Sequence, residues 1–224
     1  MNVNHIKYKE ILDELRGVKL VAVSKTKSVD EIMELYHLGQ RDFGENYVQE
    51  LVDKYEALPK DIQWHFIGHL QTNKVKYLVP FIELIHGVDS FKLLQEINKQ
   101  AEKNNRNINC LFQVHIAKEE TKFGLNEEEL GELFSGVKKL ENLKNITAMG
   151  LMGMASFTDD LEKVRSEFKY LRSLYDKYST LNTQHSTFNI LSMGMSADYK
   201  IAIEEGSNMV RIGSLIFGER NYNP

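Results

Sequence analysis

Short apolar, β-branched runs alternate along this chain with longer segments of helical spacing. The runs are Lys19 to Ser24, Asp42 to Gly44, Gln63 to Ile67, Leu84 to His86, Asn109 to Ile116, Thr147 to Gly150, Thr187 to Leu191 and Met209 to Ile212, each of strand length. Between them the apolar positions recur every three or four residues, near residues 28–38, 46–57, 72–79, 90–104, 126–140, 158–178 and 197–205; one further such segment, near 3–15, precedes the first strand. Ser28, Ser90, Asn126 and Thr158 stand just before periodic segments. A side-chain oxygen there satisfies the first free N–H groups of a helix. Strict alternation of strand and helix predicts a parallel sheet. Eight strands predict closure into a (β/α)8, TIM-type barrel. An open doubly wound sheet is the competing topology, and periodicity alone does not separate the two.

Composition narrows the picture. A chain of 224 residues lies within the range of one α/β barrel, and a hydrophobic share of 42% supplies a sizeable core. Prolines occur only at positions 59, 80 and 224, and no Pro/Gly/Ser-rich linker divides the sequence, so residues 1–224 are expected to form a single domain. The net charge of −4 gives no electrostatic case for nucleic acid or an anionic membrane. The segment Met1 to Lys7 lacks the apolar centre of a leader, and no apolar run is long enough to cross a bilayer, so a cytoplasmic, monomeric protein is expected. Cys110, the only cysteine, lies in the apolar run Cys110-Leu111-Phe112-Gln113-Val114 and reads as a buried strand residue. The histidines and carboxylates show no metal-ligand spacing, so no metal site is expected.

In a parallel barrel the chemistry sits at the C-terminal ends of the strands. Ser24-Lys25-Thr26-Lys27 follows the first. A lysine there is partly desolvated, which lowers its pKa and frees the amine for Schiff-base formation. By position alone the plainer reading, a solvated loop lysine, is preferred. Alternation puts Lys27 in the same phase as Lys25, so pattern does not choose between them. Ser192-Met193-Gly194-Met195-Ser196 follows the seventh strand, and Gly213-Ser214 follows Arg211 and Ile212 at the end of the eighth. These are the loops with which barrels often hold a phosphate, because glycines let the backbone approach and serine hydroxyls donate. Arg211 is either a structural arginine paired with a carboxylate or a donor to a ligand. Glu45 and Asn46 line the mouth or cap the next helix. Within its strand, His65 reads as a satisfied core histidine, Met149, Met152 and Met154 as packing at the barrel end, and Lys122 as a loop lysine.

Six blocks carry a resemblance: Ala22-Val23-Ser24-Lys25-Thr26-Lys27, Phe43-Gly44-Glu45-Asn46-Tyr47-Val48-Gln49-Glu50, Trp64-His65-Phe66-Ile67-Gly68, Gly150-Leu151-Met152, Ser192-Met193-Gly194-Met195-Ser196, and Met209-Val210-Arg211-Ile212-Gly213-Ser214-Leu215-Ile216-Phe217-Gly218. In this order, over nearly the whole chain, they resemble the pyridoxal-phosphate homeostasis proteins, themselves similar to the barrel domain of alanine racemase (fold-type III). The resemblance implies pyridoxal 5′-phosphate (PLP) held as a Schiff base on Lys25. It implies that Ser196, Gly213 and Ser214 bind the phosphate and that Arg211 faces the pyridine nitrogen. Asn46 and His65 would lie around the ring, and Met193 belongs to the same phosphate-side loop. His69 departs from the proline usual after the glycine. Ser214 stands where threonine is common and keeps the hydroxyl. The family implies upkeep of PLP pools, with PLP-dependent apo-enzymes as possible recipients and no settled reaction. A racemase needs a base on each face of the α-carbon. In alanine racemase a tyrosine of a partner subunit supplies the second, at a site that a further C-terminal domain helps build. With the chain ending at Pro224, no robust turnover is expected. The alternatives are a racemase-like PLP enzyme for small amino acids and a barrel for another phosphorylated metabolite without a Schiff base.

Overall fold

The computed structural model describes residues 3–117, 123–135, 140, 142–180 and 186–218. Eight strands pair in parallel, in sequence order, into a closed barrel. They are β1 (Lys19–Val23), β2 (Asp42–Glu45), β3 (Gln63–Phe66), β4 (Leu84–Val88), β5 (Ile108–Val114), β6 (Ile146–Gly153), β7 (Ser186–Ser192) and β8 (Met209–Ile212). Closure is made by β1 against β8, in the register Lys19↔Met209 to Ala22↔Ile212. The open-sheet alternative is thereby removed. The short β2 bridges β1 and β3, with Phe43 opposite Ala22 on one side and Trp64 on the other.

The helices fall where the periodicity puts them. They are α1 (His5–Leu15), α2 (Val29–His37), α3 (Val48–Ala57), α4 (Val75–Leu78), α5 (Phe91–Lys103), α6 (Glu127–Ser135), α7 (Leu161–Ser179), α8 (Tyr199–Glu204) and α9 (Ser214–Phe217). Ser28 caps α2 in a reciprocal box with Glu31, Ser90 accepts from the Leu93 N–H, and Asn126 exchanges bonds with Glu129. The fourth expected cap is displaced. Asp160, two residues beyond Thr158, accepts from Lys163 and starts α7, while Thr158 accepts only from the Asp160 N–H. A carboxylate is the stronger acceptor for the positive end of a helix. The segment 72–79 is a 3-10 turn (Thr72–Lys74) running into the single turn of α4; Val79 keeps helical backbone, but Pro80 has no N–H with which to continue the ladder.

Strand alternation divides the core in two. Leu20, Ala22, Trp64, Phe66, Cys110, Phe112, Val210 and Ile212 face outward into a continuous layer beneath the helices. Val21, Leu84, Leu111, Met152 and Met209 face the barrel axis, with Met149, Met154 and Ile190 against them. Cys110 is therefore buried behind the sheet, and burial raises its thiol far above the ordinary range, which leaves it inert. Gly150 marks the register shift between β6 and β7. Its φ is +149°, and a Cβ there would lie 1.8 Å from the Ile190 carbonyl oxygen.

Candidate functional site: the barrel mouth

The C-terminal ends of the strands surround a cavity of about 570 Å³, a volume suited to a small cofactor. Lys25, Asn46, Ser196, Arg211, Gly213 and Ser214 all line it. A shallower groove on the outer face, between Thr26 and Lys54, has no such convergence of groups.

Beyond β1 the chain is held by its backbone. The Ser24 N–H donates to the Gly44 carbonyl, and the Lys27 N–H turns back to the Ser24 carbonyl. Thr26 at the bend has φ of +64°, rare for a β-branched residue, and its N–H donates to Glu50. Behind this loop, Lys54 of α3 donates to the Ser24 carbonyl at 2.7 Å, to Glu45 at 2.8 Å and to Glu50 at 2.7 Å. Ser24 Oγ also donates to Glu45 at 2.6 Å. Burial pushes the Glu45 carboxyl up to about 7, with Lys54 and Ser24 acting in the opposite direction. Both lysines reach the cavity, and Lys27 Nζ donates to the Phe217 carbonyl at 2.8 Å and lies 3.8 Å from Glu31.

On the opposite wall Arg211 is buried (3% exposed). Its guanidinium donates to Ser192 Oγ at 2.6 Å and to the Gly153 carbonyl at 3.0 Å. Burial lowers its pKa to about 10, with Asp198 acting the other way, so it remains a cation at neutral pH. The loops after β7 and β8 meet here too. The Gly213 N–H lies 3.4 Å from Ser196 Oγ, and a Cβ on Gly213 would come within 3.0 Å of the Val23 carbonyl oxygen. The close approach of β1 and β8 thus needs a glycine and leaves a backbone-lined cradle.

Two expected residues sit elsewhere. His65 is one layer deeper than the cavity wall, where Ile67 takes the lining position of β3; its ring lies between His86 and Asp42. Met193 turns its side chain into the outer apolar layer, and its N–H donates to the Met209 carbonyl. Depth along the strand explains the first, and the outward phase of the strand end the second. Lys122 lies outside the described residues. His69 pairs with Asp89 at 3.0 Å and stacks on Phe123 at 4.1 Å, joining the loops after β3, β4 and β5.

Sequence reasoning missed the loop after β6. Ser156, Phe157, Thr158 and Asp159 form one side of the cavity. The loop is pinned by Glu167 of α7, which accepts from both the N–H and the hydroxyl of Ser156. A signal existed: Glu167 is a lone carboxylate on the apolar face of α7, among Val164, Phe168 and Leu171.

A closed parallel barrel with an amine, a buried guanidinium and a Gly/Ser cradle in one mouth defines the alanine-racemase class of barrel. The sequence matches the family described as "Alanine racemase, N-terminal domain" over residues 4–221. More narrowly, it is 46% identical over 205 residues to the pyridoxal phosphate homeostasis protein of Aquifex aeolicus, covering 91% of this chain and 88% of the relative. It is 40% identical over 233 residues to the protein of that name from Vibrio alginolyticus, covering 99% and 97%. The solved structure of PipY of Synechococcus elongatus with PLP bound superposes with a TM-score of 0.85 at 31% identity, over 95% of this chain and 99% of that one. The chain belongs to the pyridoxal phosphate homeostasis protein family.

Proposed function

We propose that this protein holds PLP in the barrel mouth as a Schiff base on Lys25. One observation carries the reading: Lys25, Arg211 and the Ser196–Gly213–Ser214 cradle line a single cavity in a relative of the PLP-bound PipY. The residues fit the group. A phosphate needs close backbone and hydroxyl donors, which the Gly213 cradle supplies, and a pyridine nitrogen accepts from a guanidinium. The Asn46 Oδ1, buried on the cavity wall without a partner, is free to accept from a ring substituent. PLP supplies an electrophilic carbonyl and an electron-withdrawing ring. In this arrangement Lys25 holds it by its amine, the cradle by its phosphate, and Arg211 keeps the ring nitrogen unprotonated. His65 acts from below and not beside the ring. The test is borohydride reduction of PLP-loaded protein followed by peptide mapping. Label on Lys25 is expected; label on Lys27 with Lys25 unmodified overturns the assignment.

The same cavity favours holding over turnover. Among the described lining residues the proton-transfer candidates are Lys25, Lys27, Asp159 and Asp198, with no tyrosine, histidine or cysteine. Asp198 is occupied in accepting from the Met195 N–H at 2.6 Å. With no tyrosine, histidine or cysteine among the described lining residues to act as a second base, α-proton exchange is slow, and the protein suits the reversible loading and release of PLP toward apo-enzymes. Incubation with L-alanine or L-serine in deuterated water tests this. Deuterium at the α-carbon at about 1 per second or faster moves the chain to the racemase-like alternative.

A further inference from the structure

Beneath the cavity, the barrel axis carries polar side chains that contact with a ligand does not explain. From Arg211 Nη1 the path runs to Ser192 Oγ at 2.6 Å, then from Ser192 Oγ to His86 Nδ1 at 3.4 Å. His86 Nε2 lies 2.9 Å from His65 Nδ1, and His65 Nε2 lies 3.0 Å from Asp42 Oδ1. At the foot of the barrel Lys19 Nζ donates to the same Asp42 oxygen at 2.9 Å. The path thus crosses from β8 at the mouth through β7, β4 and β3 to β2, and no member from Arg211 to His65 is more than 3% exposed.

The two ends fix every proton between them. Arginine only donates, and an ionised carboxylate only accepts. Ser192 Oγ receives the Arg211 N–H and keeps its own hydrogen to donate to His86 Nδ1. His86 then carries its proton on Nε2 and donates to His65 Nδ1. His65 in turn carries its proton on Nε2 and donates to Asp42. All four bonds then run the same way, and no lone pair is contested. The charges agree. Burial first, then His65 and the Arg211 cation, hold His86 well below the ordinary imidazole range. Burial alone would raise the Asp42 carboxyl, but the bonds from His65 and Lys19 outweigh it and keep Asp42 ionised. Asp198, at the mouth, acts on Arg211 in the direction opposite to burial.

We propose that Ser192, His86, His65 and Asp42 are positioning residues for Arg211. They form a one-way hydrogen-bonded column that fixes the buried guanidinium and leaves its remaining N–H groups to the cavity. Only the last step, delivery of an N–H to a ring nitrogen, rests on the reading of PLP in the mouth. The column itself is a property of the chain.

The experiment has two arms. In protein free of ligand, nitrogen-15 spectra of labelled histidines should show a proton on Nε2 of both His65 and His86, with His86 Nδ1 unprotonated. Ser192→Ala should abolish that fixed pattern at His86, and Ser192→Thr, which keeps the hydroxyl, should restore it. Asp42→Asn, at the far end and clear of the cavity, should disturb His86 as well. In the PLP-loaded protein, Ser192→Ala should weaken retention about ten- to a hundredfold, the equivalent of one hydrogen bond to a charged group. It should also move the pH profile of the bound chromophore, and Ser192→Thr should do neither. A charged or Nδ1-protonated His86 in the unsubstituted protein overturns the column. So does a Ser192→Ala protein with unchanged imidazole signals and an unchanged chromophore. The expected imidazole pattern without any visible PLP band supports the column and overturns the cofactor reading instead.

Discussion

Two buried polar systems flank the loop that carries Lys25, and they are built on opposite principles. Inside the barrel, the column from Arg211 to Asp42 spreads its bonds over two imidazoles and a hydroxyl, and none of its buried side-chain atoms is orphaned. Outside, between β2 and α3, Glu45 and Glu50 close on a single Lys54, and Glu45 Oε2 has no partner. Neutral groups are buried at modest cost once paired, whereas a buried charge needs a full complement of partners. The outer system is therefore under electrostatic tension near neutral pH. Both serve the mouth. The column fixes Arg211 from below, and the clamp fixes the Ser24 carbonyl and Thr26 N–H on either side of Lys25.

The sharpest way to break this contrast is Lys54→Met. It strips the clamp of its cation and leaves Glu45 buried among apolar groups. Removing one partner of a buried pair costs about 3–5 kcal/mol, and urea unfolding at neutral pH should show a loss of that size. A loss below about 1 kcal/mol, the level of an exposed pair, would mean that water reaches the clamp and that the two systems do not differ in kind.

Next in size is a pH effect. The Glu45 carboxyl stands at about 7 in the folded protein against an ordinary 4.5. The folded state therefore holds the proton after the unfolded state has lost it. Stability falls as pH rises from about 4.5 to about 7 and is flat above, by up to about 3 kcal/mol for a shift of this size. Glu45→Gln should abolish this component, so its stability relative to the unsubstituted protein should improve between pH 5 and pH 8. An improvement on going down in pH would invert the sign and refute the assignment.

The contrast also explains what the sequence could and could not reveal. The barrel was legible because alternation and helical spacing are local, and even the three-residue stretch Asp42 to Gly44 proved to pair on both sides. Lys25, Arg211 and the Gly/Ser loops were legible because strand ends in a parallel barrel converge on one mouth. The partner of Lys27 was not, since it is the Phe217 carbonyl 190 positions away. His65 read correctly as a satisfied core histidine on strand phase. Its partners, His86 and Asp42, are set by register between strands that periodicity does not give. The clamp was hidden for a simpler reason: Lys54 lies in a helix whose mixture of charges reads as a solvated face.

The smallest expected effect sharpens the comparison most. Lys19→Met removes a lysine that donates to a carboxylate at 2.9 Å, almost the 2.8 Å of Lys54 to Glu45. Judged by distance alone, the two substitutions should be equivalent. Exposure separates them: the Lys19 side chain is 47% exposed and that of Lys54 7%. At the foot of the barrel water replaces the lost ammonium, and Asp42 keeps the bond from His65 that ends the column. The loss of stability should be about 0.2–1 kcal/mol, as for exposed pairs, and the His65 and His86 signals should stay in place. A loss above about 3 kcal/mol, the range of a buried pair, or a His86 ring that changes tautomer, would show that Lys19 is a working end of the column. The column would then be a charged system like the clamp.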